Sequence, residues 1–288
     1  MTSEAAVAAV LGLGPMGRPI AEHLAARFAT EVWNRTPQVA AELADRARVV
    51  ARPDAISAAA VFACLPDIDQ LDQVAPDAVL TAWRANGVER VVVLSTTSPA
   101  KVRGFAARAA ASGLAVVDAP MSGGDAGARE ARLSLMVGGD AAELEAVRPL
   151  LETFATTIRH LGPVGAGAAG KLANQLVVAG TLAALAEALD LARRADVDDV
   201  ALVDLLRGGL ASSAVLDLKA DKLLGRHYEL GGSTANQVKD LVYATGLADE
   251  LGAELRLSRA ALDLYRRAVD AGFGQQDHAA VQEILRRD

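Results

Sequence analysis

Residues 9–24 read AVLGLGPMGRPIAEHL: a short apolar run ending at Leu11, then Gly12, Gly14 and Gly17, then apolar residues at helical spacing. Gly-x-Gly-x-x-Gly has a physical meaning when a strand precedes it and a helix follows it. The first glycine permits a tight turn, the second lets backbone approach a pyrophosphate, and the third lets helix and strand pack closely. Free N–H groups at the helix start then face the anion. Gly12, Leu13, Gly14, Pro15, Met16 and Gly17 are the candidate cradle of a dinucleotide.

The chain around this loop has two textures. Up to about residue 162, short β-branched or apolar runs alternate with alanine-rich segments of helical period. Strands are predicted at 7–11, 30–33, 60–65, 91–95, 115–118, 134–137 and 157–160, and helices at 19–27, 38–47 and 101–112. The stretch APMSGGDAGAREA, residues 119–131, reads as a loop. Such alternation predicts a parallel sheet covered on both faces. After LGPVGAGAAG, residues 161–170, the period changes. Residues 171–194 form an unbroken helical run without proline, and further helical segments follow. The expected architecture is α/β: a Rossmann-type doubly wound domain over 1–162 and an all-α domain over 163–288, joined by one long helix.

With 288 residues the chain is long enough for two cores. The formal charge of −7 is spread evenly, with no basic stripe, so nucleic acid is not an expected partner. No uncharged run reaches the ~20 residues of a membrane span, and MTSEAAVAAV lacks the basic start of a signal peptide. The single cysteine, Cys64, excludes an internal disulfide and fits a reducing compartment. These features lead us to expect a cytoplasmic protein without a membrane partner. His23, His160 and His227 are scattered without ligand-like spacing, so no metal site is expected.

About 20 residues beyond the glycine loop, a carboxylate would accept the ribose hydroxyls of NAD. This chain has Trp33-Asn34-Arg35-Thr36 there instead. Arg35 can pair with a 2′-phosphate, and Asn34 and Thr36 can hydrogen-bond to it, which points to NADP(H).

Several stretches, taken together, resemble the β-hydroxyacid dehydrogenase family: GLGPMGRPIAEHL at the start, LSTTSP from Leu94, DAPMSGGDAGAREARLSLMVGG from Asp118, GAGAAGKLANQ from Gly165 and VKDL from Val238. Their order and spacing agree over nearly the whole chain. The resemblance implies an oxidoreductase that interconverts a β-hydroxy acid and its semialdehyde or keto form. It also implies a homodimer or homotetramer, and the long apolar helix leads to the same expectation, since one small helical domain would leave much of it uncovered.

The residues it singles out have suitable chemistry. Lys171 and Asn174 are three apart and share one helix face. A lysine in a partly buried cleft can give a proton to a developing alkoxide and take it back, because desolvation brings its pKa toward the operating pH. The resemblance implies this acid/base role for Lys171. Ser122, Gly123 and Gly124 offer a hydroxyl and unshielded N–H groups suited to a carboxylate, and the family implies that they bind substrate together with Asn174 and Gln175. It also places Thr96 beside the nicotinamide ribose, the Cys64-Leu65-Pro66 turn along the dinucleotide, and Lys239 over the cleft. Asp240 stands either to orient a lysine or to cap charge on its helix.

The chain also departs from the family pattern. Gln175 stands where a second asparagine is usual, Val93 where an acidic residue is usual, Ala131 for a glycine and His278 for a phenylalanine. Two alternatives share the architecture: an imine reductase, and a non-catalytic NADP-binding module. Imine reductases of this architecture often lack the lysine, and some relatives that lost it became interaction domains, so Lys171 weighs against each, while Gln175 and the NADP-like loop keep the imine reductase open.

Overall fold

The computed structural model describes residues 7–229 and 231–285; residues 1–6 of the stretch read for a signal peptide lie outside them. Two compact units divide the chain, residues 1–171 and 172–288.

In the first unit, β1 (Ala8–Leu11), β2 (Thr30–Trp33), β3 (Arg48–Val49), β4 (Ala60–Ala63), β5 (Arg90–Val93) and β6 (Ala115–Asp118) form a parallel sheet in the order β3-β2-β1-β4-β5-β6. Three more strands extend it: β7 (Met121–Ser122), β8 (Leu133–Gly138) and β9 (Ala155–Gly162). β8 runs antiparallel to β6 and β7 and parallel to β9, so the sheet is mixed where the sequence alone suggested a parallel one. The link from β6 to β8, residues 119–132, does not cross over the sheet: it is taken up by β7 and a short helix, and β7 pairs antiparallel with β8.

The helices of this unit are α1 (Gly17–Ala25), α2 (Pro37–Ala41), α3 (Ile68–Val74), α4 (Asp77–Ala85), α5 (Pro99–Ala111), α6 (Gly124–Arg129) and α7 (Ala141–Leu151). Successive strand residues point to opposite faces, and both faces are covered. Ala8, Val10 and Phe62 pack with Ile20 and Leu24 of α1 and Leu144 and Val147 of α7. On the other face, Ala9, Leu11 and Val61 pack with Trp83 of α4 and Val102 and Phe105 of α5. Strands buried on both sides read as continuous apolar runs, which is why they are so legible in the sequence. The strand order reverses between β1 and β4, and ligands of open α/β sheets bind in the crevice outside the strand ends at such a point.

The stretch read as a loop at 119–131 is instead β7 followed by α6. α6 ends in a Schellman arrangement, with Arg132 N–H donating to Gly127 O at 2.8 Å. The left-handed residue this motif requires is Ala131, at φ +54°. Glycine is usual at such a position because it lacks the Cβ that clashes there.

The second unit is helical. α8 (Ala166–Arg194) starts in the first unit and runs through the division. It is followed by α9 (Asp199–Arg207), α10 (Ala214–Gly225), α11 (Thr234–Leu251), α12 (Arg256–Ala268) and α13 (Gln282–Leu285). Asp198, Ser213 and Ser233 cap the starts of α9, α10 and α11 with side-chain oxygens. Leu182, Ala186 and Leu189 of α8 pack with Val203, Leu216, Leu241 and Tyr265. By length and composition α8 could cross a membrane, a property it shares with core helices of soluble proteins. Asp277 is fully buried and receives Lys219 Nζ at 2.7 Å and Lys222 Nζ at 3.3 Å.

Candidate active site

The glycine loop closes where β1 ends. Gly12 has φ +88°, and a Cβ there would lie 2.5 Å from the Cys64 carbonyl oxygen; one on Gly17 would lie 1.9 Å from the Gly12 carbonyl oxygen. Both glycines are therefore demanded by the protein's own packing. Gly14 differs: a Cβ there meets nothing within 4 Å. Packing leaves this middle glycine unexplained, and backbone that must stay bare on its open side fits the close approach of a pyrophosphate. Leu13 is buried, Gly14 and Pro15 are exposed, and Met16 is half-buried against the core.

The loop after β2 lies alongside. Gly12 N–H donates to Trp33 O at 3.0 Å, continuing the β1–β2 ladder. Leu13 N–H donates to Asn34 Oδ1 at 3.0 Å, and Asn34 Nδ2 donates to Thr36 O at 3.1 Å. Arg35 and Thr36 are exposed. Asn34, read from sequence as a possible phosphate ligand, has both ends of its amide engaged by backbone.

Cys64, Leu65 and Pro66 follow β4, and Thr96 follows β5. Ser95 Oγ donates to Leu65 O at 2.7 Å, and Thr97 Oγ1 donates to Asp67 Oδ1 at 2.6 Å. Asp67 also accepts from Ile68 N–H at 2.7 Å, capping α3. These bonds tie the two loops together on either side of half-buried Thr96, and the brace of Ser95, Thr97 and Asp67 was not apparent from sequence. Burial pushes the Cys64 thiol up to about 12, so it stays protonated at neutral pH.

Ser122 pairs with Ser134 at the end of β7; Gly123 and Gly124 follow with φ of +125° and +62° and are exposed. Positive φ at two successive residues is the reason for the glycine pair. Their setting is a strand-to-helix corner.

Asp118, at the end of β6, holds the start of α8. Its carboxylate accepts Gly165 N–H at 2.8 Å and Ala168 N–H at 2.7 Å, from full burial. Burial raises its pKa, while the backbone donors pull the other way. Gly138 and Gly167 make room for this approach, since a Cβ on either would lie within 2.5–2.8 Å of an Asp118 side-chain oxygen. The sequence places Asp118 at the head of a motif without revealing this clamp. Lys171 lies on the following turn of α8 and is buried, with 8% exposure.

The remaining site residues belong to the second unit. Asn174 Nδ2 donates to Gln175 Oε1 at 3.1 Å, and Gln175 Nε2 donates to Asp240 Oδ2 at 2.7 Å. Because a carboxylate only accepts, Asp240 sets the Gln175 amide, and Gln175 in turn sets Asn174. Lys239 Nζ lies 3.1 Å from Asp240 Oδ1 and 5.6 Å from the centre of the Tyr243 ring. His278 Nδ1 contacts Gln237 Oε1 at 3.0 Å. His23 and His160 meet backbone carbonyls, the former at Ala128 and Arg129 and the latter at Gly139.

Comparison with known proteins agrees with this geometry. Residues 7–162 match a family model described as the NAD binding domain of 6-phosphogluconate dehydrogenase. Residues 165–285 match one described as NAD-binding of NADP-dependent 3-hydroxyisobutyrate dehydrogenase. The chain is 35% identical to 2-hydroxy-3-oxopropionate reductase of Escherichia coli strain K12, over 96% of this chain and 95% of that one. It is 32% identical to NAD-dependent L-serine dehydrogenase of Pseudomonas aeruginosa, over 96% and 97%. The solved structure of Mycobacterium tuberculosis 3-hydroxyisobutyrate dehydrogenase with L-serine superposes with a TM-score of 0.86 at 31% identity, covering 98% of this chain and all of that one. With its glycine loop, doubly wound sheet and helical second unit, the chain belongs to the β-hydroxyacid dehydrogenase family of nicotinamide-dependent oxidoreductases.

Proposed function

We propose that this chain interconverts a β-hydroxy acid and its semialdehyde or keto form, with NADP(H) as the preferred cofactor and Lys171 as general acid and base. The observation that carries the reading is Lys171 itself, a buried lysine on a helix whose start is clamped by Asp118. Further support comes from the open backbone at Gly14, the exposed Arg35 with no carboxylate from Asn34 to Thr36, the exposed glycine pair Gly123–Gly124, and the ordered pair Asn174–Gln175.

The bound nicotinamide supplies or accepts the hydride. The chain's residues do the rest. Ser122 Oγ–H and the N–H groups of Gly123 and Gly124 donate to the substrate carboxylate and hold the carbinol carbon in place. The Asn174 amide adds a further polar contact. In the reducing direction, Lys171 Nζ gives a proton to the carbonyl oxygen as negative charge develops on it; in the oxidising direction the neutral amine takes the hydroxyl proton. Arg35 pairs with the 2′-phosphate.

Self-association belongs to the same reading. Val177 and Leu191 lie on one side of α8 with 68% and 70% exposure, and Leu257 of α12 has 73%. A second copy would cover this apolar surface.

The test is a spectrophotometric screen of short β-hydroxy acids and semialdehydes with each cofactor. The proposal expects turnover of an acid of this class and higher catalytic efficiency with NADP(H). Faster reduction of cyclic imines than of any semialdehyde acid overturns the substrate class, and a clear NADH preference overturns the cofactor choice.

A further inference from the structure

The residue after β2 has a different task from the one its position suggests. In the β1–β2 pair the last backbone rung joins Gly12 N–H to Trp33 O. The next donor in the glycine loop, Leu13 N–H, meets the side-chain oxygen of Asn34 at 3.0 Å. Asn34 thus extends the ladder by one rung into the loop, its amide standing in for a strand carbonyl. The amide's orientation is determined at both ends: Leu13 N–H only donates and Thr36 O only accepts, the latter receiving Nδ2 at 3.1 Å. By contrast, Arg35 is exposed and makes no hydrogen bond or ion pair among the described residues.

We propose that Asn34 is a positioning residue for the pyrophosphate cradle and acts equally on both nicotinamide dinucleotides, while discrimination at the 2′-phosphate is left to Arg35. Leu13 sits between Gly12, whose turn packing requires, and Gly14, whose open side faces free space. Fixing the Leu13 N–H fixes the Gly12–Leu13 peptide, and with it the start of the backbone that turns to Gly14. That backbone serves the part of the cofactor that NAD and NADP share. Only the contrast with Arg35 rests on the cofactor reading given above.

Three variants separate the roles. Dissociation constants for NADPH and NADH are measured by calorimetry on the cofactor-free protein, and exchange of the Leu13 amide hydrogen is followed without cofactor. Asn34→Ala removes the acceptor. It should weaken NADPH and NADH by the same factor, about fivefold, and abolish Leu13 protection. Asn34→Asp keeps an acceptor for Leu13 but brings a negative charge. It should keep Leu13 protected and weaken NADPH about tenfold or more by repulsion, while NADH, whose ribose hydroxyls a carboxylate can accept, binds at least as tightly. Arg35→Ala should weaken NADPH alone.

If Asn34→Ala weakens NADPH and leaves NADH unchanged, Asn34 is a phosphate ligand and the proposal is wrong. Unaltered Leu13 protection in Asn34→Ala also overturns it. Should Asn34→Ala not fold, Asn34→Asp still decides, because loss of Leu13 protection there contradicts the tether. A native preference for NADH would refute the NADP reading and leave an equal loss in Asn34→Ala standing.

Discussion

Asp118 accepts the Gly165 amide at 2.8 Å, and so a buried carboxylate at the end of a strand holds the first turn of the helix that carries Lys171. The same carboxylate takes Ala168 N–H, so two donors at the helix start depend on one side chain. Asp118→Ala leaves both without a partner and should cost about 2–4 kcal/mol of stability. Asp118→Asn keeps one acceptor and should cost roughly half of that. Denaturant unfolding of the two variants measures the difference, and equal losses would contradict the two-donor account.

Asp277 governs acid stability in the second unit. Burial alone would raise its pKa, but hydrogen bonds from Lys219 and Ala279 N–H overcome this and hold the carboxyl below its ordinary value of 3.8. A carboxyl lowered in this way stabilises the fold fully above the unfolded pKa, and the contribution disappears as pH falls through the folded value. Asp277→Asn leaves Lys219 uncompensated and should cost about 3–5 kcal/mol at neutral pH. The gap between wild type and variant should narrow in urea titrations below about pH 4; a gap that holds constant with pH would show that charge is not the cause.

The three glycines of the loop are not equivalent. Gly17→Ala drives a Cβ to 1.9 Å from the Gly12 carbonyl oxygen and should unfold or severely destabilise the first unit. Gly14→Ala meets no protein atom within 4 Å, so its melting temperature should match wild type while its affinity for either dinucleotide falls. Thermal melts paired with cofactor titrations check this, and normal cofactor binding by the Gly14→Ala variant would remove Gly14 from the cradle.

Ala131 offers a stabilising change. Its φ of +54° costs an L-residue about 1 kcal/mol relative to glycine, so Ala131→Gly should stabilise by about that amount, less the greater freedom of glycine in the unfolded chain. The expected net is a gain of some tenths of a kcal/mol in chemical denaturation. A loss would show that the Schellman turn is not under strain.

The chain Asp240–Gln175–Asn174 should behave as one unit. Asp240→Ala and Gln175→Leu should each raise KM for the acid substrate about tenfold with little change in kcat. The double variant should be no worse than the worse single one, because both act through Asn174. Multiplying effects would show two independent contacts.

Legibility in the sequence followed the range of the interaction. The doubly covered strands announce themselves as apolar runs, and Gly12-x-Gly14-x-x-Gly17 needs only its neighbours to be understood. Lys171 and Asn174 share a face through helical period alone. What escaped was set by distant partners. Asp118 looks like any strand-end acid until Gly165 arrives, and nothing in the sequence ties Gln175 to Asp240. Nor does it tie Asn34 to Leu13, which belongs to another strand's loop. The helix Gly124–Arg129 was hidden by composition: six residues, two of them glycine, carry too little periodicity to stand out from a loop.

The central claim is that Lys171 moves the proton. Turnover of Lys171→Ala, measured at saturating cofactor and substrate beside calorimetric binding of the dinucleotide, tests it most directly. The account predicts a fall in kcat of about 10²–10⁴ with cofactor affinity retained. Turnover within a few-fold of wild type would contradict it.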